Sequence, residues 1–186
     1  KATISVTYAG SDEYAEVTGT AILTVKLRPE GADFTFTPSK VTYDGQPHGV
    51  TVNKPEGMGE IKSVTYFDDI NKVPVDGEPT EVGEYRVRIA VEAGETYSER
   101  GTFTVSGKFR IEKADQTATI TAESTTIKAN ETTTVSAEGY GEVSYSSSNE
   151  EIATVTRNED GTATVTAHKA GTVTISASFD GDANHN

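Results

Sequence analysis

Apolar and polar residues alternate strictly in several segments, and such alternation predicts strands with one buried face. Residues 2–8 (ATISVTY) have an apolar or aromatic side chain at every second position, and residues 84–91 (EYRVRIAV) and 171–179 (GTVTISASF) repeat this pattern. No segment keeps the spacing of an amphipathic helix for more than one turn. The pattern predicts an all-β chain, with further strands near residues 18–28, 33–37, 48–53, 61–67, 101–112, 116–121, 131–137, 142–147, 151–156 and 161–166.

Turn signals separate these segments at short intervals, as β-sandwiches require. They are the Asp-Gly pairs at Asp44-Gly45, Asp76-Gly77, Asp160-Gly161 and Asp180-Gly181.

Composition excludes several classes of function. The chain of 186 residues contains no Cys, so disulfides, thiolate metal sites and a cysteine nucleophile are ruled out. Its formal net charge of −13 argues against a nucleic-acid partner. No apolar run approaches the roughly 18 residues that a membrane-spanning helix needs.

Two changes in composition predict the domain boundaries. All six Pro residues lie between Pro29 and Pro79, and acidic residues are most in excess in the last part of the chain. We therefore predict three segments, with residues 1–28, 29–113 and 114–186.

An internal repeat relates the two ends of the chain. Residues 1–10 (KATISVTYAG) align with residues 172–181 (TVTISASFDG), with an identical Thr, Ile, Ser and Gly and with Tyr8 opposite Phe179. This predicts that residues 1–28 are the C-terminal hairpin of a preceding domain, and that the last domain lacks its final strand. We accordingly expect residues 16–27 to complete that domain in a neighbouring molecule, a head-to-tail self-association.

The last segment resembles the bacterial immunoglobulin-like domain of group 2. The resemblance lies in VSYSSSNEEIATVTRNEDGTATVTAHKAGTVTISASFDGD, where Tyr145 stands at a position that is often Trp in that family. The repeat extends the resemblance to residues 1–28. The middle segment is similar to the MBG/YDG type of immunoglobulin-like repeat, through KVTYDGQPHGVTV, PTEVGEYRVRIAVEAGETYSE and FRIEKA.

These resemblances imply tandem immunoglobulin-like β-sandwiches of a bacterial secreted or cell-surface protein, without catalytic residues or cofactors. The implied partners are adjacent immunoglobulin-like domains of the same chain. The implied role is that of a spacer that displays a functional region located elsewhere. The alternative is an adhesion module that binds glycan or host protein through exposed aromatic residues, for which the candidates are Tyr14, Tyr66, Phe67 and Tyr97.

Three residues are predicted to be structural. Tyr85 follows Gly83 at the start of a strand, the position at which immunoglobulin-like domains place a tyrosine corner. Tyr145 is expected to be an aromatic plug in the core of the last domain.

One weak metal candidate is present near the C-terminal end of the sequence. Asp180, Asp182 and Asn184 occupy alternate positions, as at the start of a calcium loop, but the Gly and Glu that complete such a loop are missing. A polar hairpin turn is therefore the favoured interpretation.

The acidic pairs Asp68-Asp69 and Glu150-Glu151 are poor candidates for acid/base catalysis. Neighbouring residues of a strand point to opposite faces, so each pair is predicted to be solvated surface or turn. Among the β-sandwiches of surface proteins some form a Lys–Asn isopeptide bond, but no motif here singles out a pair.

Overall fold

The computed structural model describes residues 2–186 and confirms the all-β prediction. In these residues the strands are β1 (Ala2–Tyr8), β2 (Val17–Leu23), β3 (Thr35–Thr37), β4 (Lys40–Thr42), β5 (Thr51–Asn53), β6 (Ile61–Asp68), β7 (Val73–Val75), β8 (Gly83–Val91), β9 (Arg100–Thr104), β10 (Phe109–Glu112), β11 (Thr119–Ala122), β12 (Thr132–Glu138), β13 (Val143–Ser147), β14 (Ala153–Arg157), β15 (Ala163–Ala167) and β16 (Ile175–Phe179). A single turn of 3-10 helix spans Gly31–Asp33. No helix in the described part of the chain is both long and apolar enough to cross a membrane.

The chain divides into two compact units. Unit one contains the described residues up to Ser39 together with residues 49–79 and 84–109. Unit two contains residues 40–48, 80–83 and 110–186.

Unit one is built on the long strand β8. It pairs antiparallel with β6 on one side, and β9 is also antiparallel to it. Strand β7 extends the sheet beyond β6, and β3 pairs with β5 in a separate small sheet. The large apolar side chains buried in this unit include Phe34, Met58, Tyr66, Tyr85, Val87, Ile89, Val91, Phe103, Val105 and Phe109.

The predicted strand at residues 101–112 is two strands in the structure. Strand β9 ends at Thr104 and β10 begins at Phe109. Between them Gly107 has a φ of 100°, a left-handed conformation that glycine adopts without strain. The turn at Gly107 therefore interrupts a run that the apolar pattern alone suggests is continuous.

Strands β1 and β2 form an antiparallel hairpin in which every residue is exposed. The register places Ile4 opposite Ala21 and Tyr8 opposite Val17, so the apolar positions of both strands lie on one face, except for Ile22, which lies on the other face opposite Thr3. Val6 is 70% exposed and Val17 is 63% exposed. The alternation in residues 2–8 predicts a buried face, and this expectation is wrong for the described chain, because neither face of the hairpin is covered and every residue of both strands is exposed.

Unit two contains a two-layered sandwich. One layer has the strand order β11-β12-β15-β14, and the other consists of the antiparallel pair β13-β16. Val135, Ala153, Ala163 and Val165 form the buried centre, and Tyr145 and Ile175 of the second layer pack against it. In chain order the first layer corresponds to strands A, B, E and D of an immunoglobulin-like domain, and the second corresponds to C and F.

Candidate functional site

A buried carboxylate, Asp69, is the centre of an ion cluster in unit one. It follows the end of β6, where its backbone N–H donates to the carbonyl of Glu84 at 2.8 Å. Its side chain is only 6% exposed. Arg86 Nε lies 2.7 Å from Oδ1, Lys108 Nζ lies 2.8 Å from Oδ2 and Lys72 Nζ lies 3.0 Å from Oδ1. The ammonium of Lys108 also contacts Glu84 at 2.6 Å.

Hydrogen bonds from these cations stabilise the charged form of Asp69. The bonds from Arg86, Lys108 and Lys72 hold the pKa of Asp69 well below its usual range. The same contacts raise the pKa of Arg86, and Asp69 and Glu84 together raise the pKa of Lys108. Asp69, Arg86 and Lys108 are therefore ionised at neutral pH.

Lys108 contacts the carboxylates of Asp69 and Glu84, but the protonation states of Lys108 and Asp69 do not suit the formation of an amide. Condensation of a lysine amine with a carboxyl requires a neutral amine and a protonated acid, and the cluster disfavours both forms. The cluster is therefore suited to fixing β6, β8 and the segment after Gly107 to one another through charge.

The sequence-based interpretation of the Asp68-Asp69 pair is right for one residue and wrong for the other. Asp68 is a turn residue, since its Oδ1 accepts hydrogen bonds at 2.8 Å from the N–H groups of Ile70 and Asn71. These bonds and the one from the Asn71 side chain lower the pKa of Asp68. Asp69 is buried, because three cations replace the water that a carboxylate otherwise needs.

Tyr85 and Gly83 lie at the start of β8, as expected from the sequence. Gly83 is the first residue of the strand, and Tyr85 is 3% exposed, with its ring centroid 6.3 Å from that of Phe109. Tyr66, a candidate of the adhesion alternative, makes a backbone contact. The hydroxyl of Tyr66 accepts a hydrogen bond from the N–H of Val50 at 2.8 Å, and its burial raises its pKa.

Tyr145 of β13 is half-buried and packs against the centre of the unit-two sandwich. Its hydroxyl donates to the carbonyl of Gly161 at 2.9 Å. The ring thus fills the core while the hydroxyl reaches the turn between β14 and β15.

The side-chain oxygens of the predicted calcium candidate accept hydrogen bonds from backbone N–H groups. Asp180 Oδ1 accepts from the N–H of Glu142 at 2.6 Å, and Asp182 Oδ1 accepts from the N–H groups of Asn184 and His185. Asn184 Oδ1 accepts from the N–H of Val82 at 3.2 Å. The three side chains point to different partners, and within residues 2–186 no group of three acidic or histidine side chains is placed to hold a metal ion.

The four aromatic residues proposed for adhesion differ in how far their side chains are exposed to solvent. Tyr14 is 68% exposed and Tyr66 is 4% exposed, whereas Phe67 and Tyr97 are half-buried. Tyr66 is removed from this set, because it belongs to the core. Unit two presents another aromatic group, in which the half-exposed Tyr140 is stacked on His185 with centroids 3.5 Å apart.

The sandwich of unit two has an open cavity of about 740 Å³ between its layers. Apolar side chains from both layers line it, including Ile120, Val135, Ile152, Val173 and Ile175. Strand β16 pairs with β13 along one edge, and no strand in the described residues pairs with its other edge. In an immunoglobulin-like sandwich that edge is the position of strand G.

The architecture of unit two is that of an immunoglobulin-like sandwich. Residues 109–185 match the sequence model of the bacterial Ig-like domain (group 2). Domains of this family are generally non-catalytic and are typically extracellular or at the cell surface. No curated protein matches the chain. The match does not reach most of residues 29–113, so their MBG/YDG-type resemblance stays a prediction.

Proposed function

We propose that the chain is part of a tandem array of immunoglobulin-like modules that spaces and displays a functional region of a bacterial surface or secreted protein. The observation that carries the proposal is the two-layered sandwich of unit two within a segment that matches a bacterial Ig-like family. Unit one supports it, since the charges gathered around its buried Asp69 are engaged in internal ion pairs.

Domain exchange tests the spacer role. In the parent polypeptide, residues 29–186 are replaced by an unrelated sandwich of similar length, and the binding or activity of the remaining polypeptide is measured. We expect the replacement to retain it, while deletion without replacement reduces it because the displayed region moves closer to its anchor. Loss of activity on replacement would show that these residues themselves recognise a ligand.

The second candidate function is adhesion to glycan or host protein through exposed aromatic residues. Tyr14 and Tyr140 favour it, since both rings are at least half-exposed. Binding of the chain to a glycan array and to host-cell proteins tests this role, with Tyr14→Ala and Tyr140→Ala each compared with wild type. Binding that survives both substitutions would argue against these rings as the contact.

A further inference from the structure

Two apolar surfaces of the chain, one exposed and one open at a sheet edge, are related by the internal repeat. One is the hairpin face formed by alternate residues of β1 and β2, which include Ile4, Val6, Tyr8, Val17 and Leu23. The other is the open edge of β16 beside the cavity of unit two. We propose that β2 of a second copy of this chain adds antiparallel to β16, in the register in which it pairs with β1.

The register follows from the internal repeat. Strand β2 already pairs with β1, and residues 1–10 align with residues 172–181 around β16. Replacing β1 by β16 converts the observed pair of Val6 and Gly19 into Ala177 opposite Gly19. The pair of Ile4 and Ala21 likewise becomes Ile175 opposite Ala21.

This register also directs the right side chains into the cavity. Leu23 would lie opposite Val173, and Ala21 opposite Ile175, and both Val173 and Ile175 line the cavity. Leu23 is 49% exposed in the hairpin and would become buried. The other face of β2, with Thr18, Thr20 and Ile22, would remain toward solvent.

The exchange is favourable because the pairing of β1 with β2, which it breaks, contributes little stability. A two-stranded hairpin without a packed face is marginally stable in water. Opening β1 from β2 loses that pairing, while β2 gains an equivalent ladder on β16 and buries apolar side chains that are now in water. The contact joins the hairpin of one copy to unit two of the next, so it is heterologous and extends into rings or chains.

The first test is the concentration dependence of the molar mass, measured by sedimentation equilibrium. We expect wild type to associate beyond a dimer as its concentration rises. Ala21→Asp should weaken the association by at least about tenfold, because it buries an unpaired carboxylate. Thr20→Asp is the matched control, with the same charge on the solvent face of the same strand, and should associate like wild type. A monomer at all concentrations, or equal weakening by both variants, would overturn the proposal.

The second test reads the register directly, since the chain contains no Cys. The single variants Gly19→Cys and Ala177→Cys are mixed under mild oxidation, so that any disulfide between them joins two molecules. We expect this mixed disulfide to form faster than the one from Gly19→Cys with Ser178→Cys, whose side chain faces the opposite way. Equal rates, or a faster reaction with Ser178→Cys, would contradict the register.

Discussion

In both units, single polar side chains connect segments of the chain that are distant in sequence. Asp69 holds three cations, Tyr66 holds the backbone of Val50, and Tyr145 holds the carbonyl of Gly161. In each case one polar group forms a hydrogen bond or ion pair with a segment that is distant in sequence. The consequences of removing these groups are therefore specific and measurable.

Replacing Asp69 by Asn should lower stability in a pH-dependent way. The pKa of Asp69 is lowered in the folded chain from the ordinary 3.8, so its contribution is complete above the unfolded pKa and is lost as the pH falls through the folded pKa. Urea titrations of wild type and Asp69→Asn should thus give a difference that is constant near neutral pH and shrinks below about pH 4.

Asp76→Asn is the matched control for this prediction, since Asp76 is an exposed carboxylate of the same unit. It should leave the free energy of unfolding nearly unchanged over the same pH range. A difference between wild type and Asp69→Asn that grows as the pH falls would contradict the role assigned to the cluster.

The hydroxyl of Tyr66 should contribute about 1–2 kcal/mol to the free energy of unfolding. Its removal in Tyr66→Phe leaves the partly buried N–H of Val50 without its hydrogen-bond acceptor. Denaturant unfolding measures this loss. Tyr14→Phe, at a ring that is 68% exposed, should cost almost nothing. Equal stability of the Tyr66 variant and wild type would show that water replaces the bond without loss.

The proposed corner role of Tyr85 leads to a parallel prediction. Tyr85→Phe should destabilise the chain by roughly 1–2 kcal/mol through its hydroxyl, and Tyr85→Ala by roughly 3–5 kcal/mol through the cavity that it leaves. The ring is 3% exposed, so the larger loss follows from its burial. If Tyr85→Phe has the same free energy of unfolding as wild type in denaturant titration, Tyr85 is not a tyrosine corner.

At the scale of elements, turns in unit two differ in how much space surrounds their glycines. Gly141 and Gly161 both have positive φ values, of 91° and 87°. A Cβ on Gly141 would overlap the carbonyl oxygen of Gly181, while a Cβ on Gly161 meets no atom within 4 Å. Gly161→Ala should therefore cost about 1–2 kcal/mol from its backbone conformation alone, and Gly141→Ala clearly more. Equal losses in denaturant unfolding would contradict this steric reading.

Strands were predictable wherever alternation and burial coincide. Strand β8 follows its pattern, with Tyr85, Val87, Ile89 and Val91 buried at every second position. The three-residue strands β4 and β7 were missed, because three residues are too few to show an alternation by themselves, whereas the equally short β3 and β5 lie within longer predicted segments. The ion cluster was not predictable either, since the cations that surround Asp69 come from three separate segments that only the fold brings together.

At the scale of the whole molecule, thermal stability should not depend on calcium. Asp180, Asp182 and Asn184 are directed to separate backbone groups, and the pKa of Asp182 is lowered by the N–H of Asn184 and by His185. Melting curves recorded with EDTA and with millimolar calcium should coincide. A rise of several degrees with calcium would show that these oxygens rearrange around the ion.

The interleaving of the two units has a consequence for cutting the molecule into pieces. The chain passes from one unit to the other after residues 39, 48, 79, 83 and 109. A fragment that begins at residue 114 would therefore lack β4, the segment 80–83 and β10. It would also lack the backbone N–H of Val82, which donates a hydrogen bond to Asn184 Oδ1. Neither unit can be released by a single protease cut, and a gene fragment that encodes only one sequence segment encodes neither unit whole.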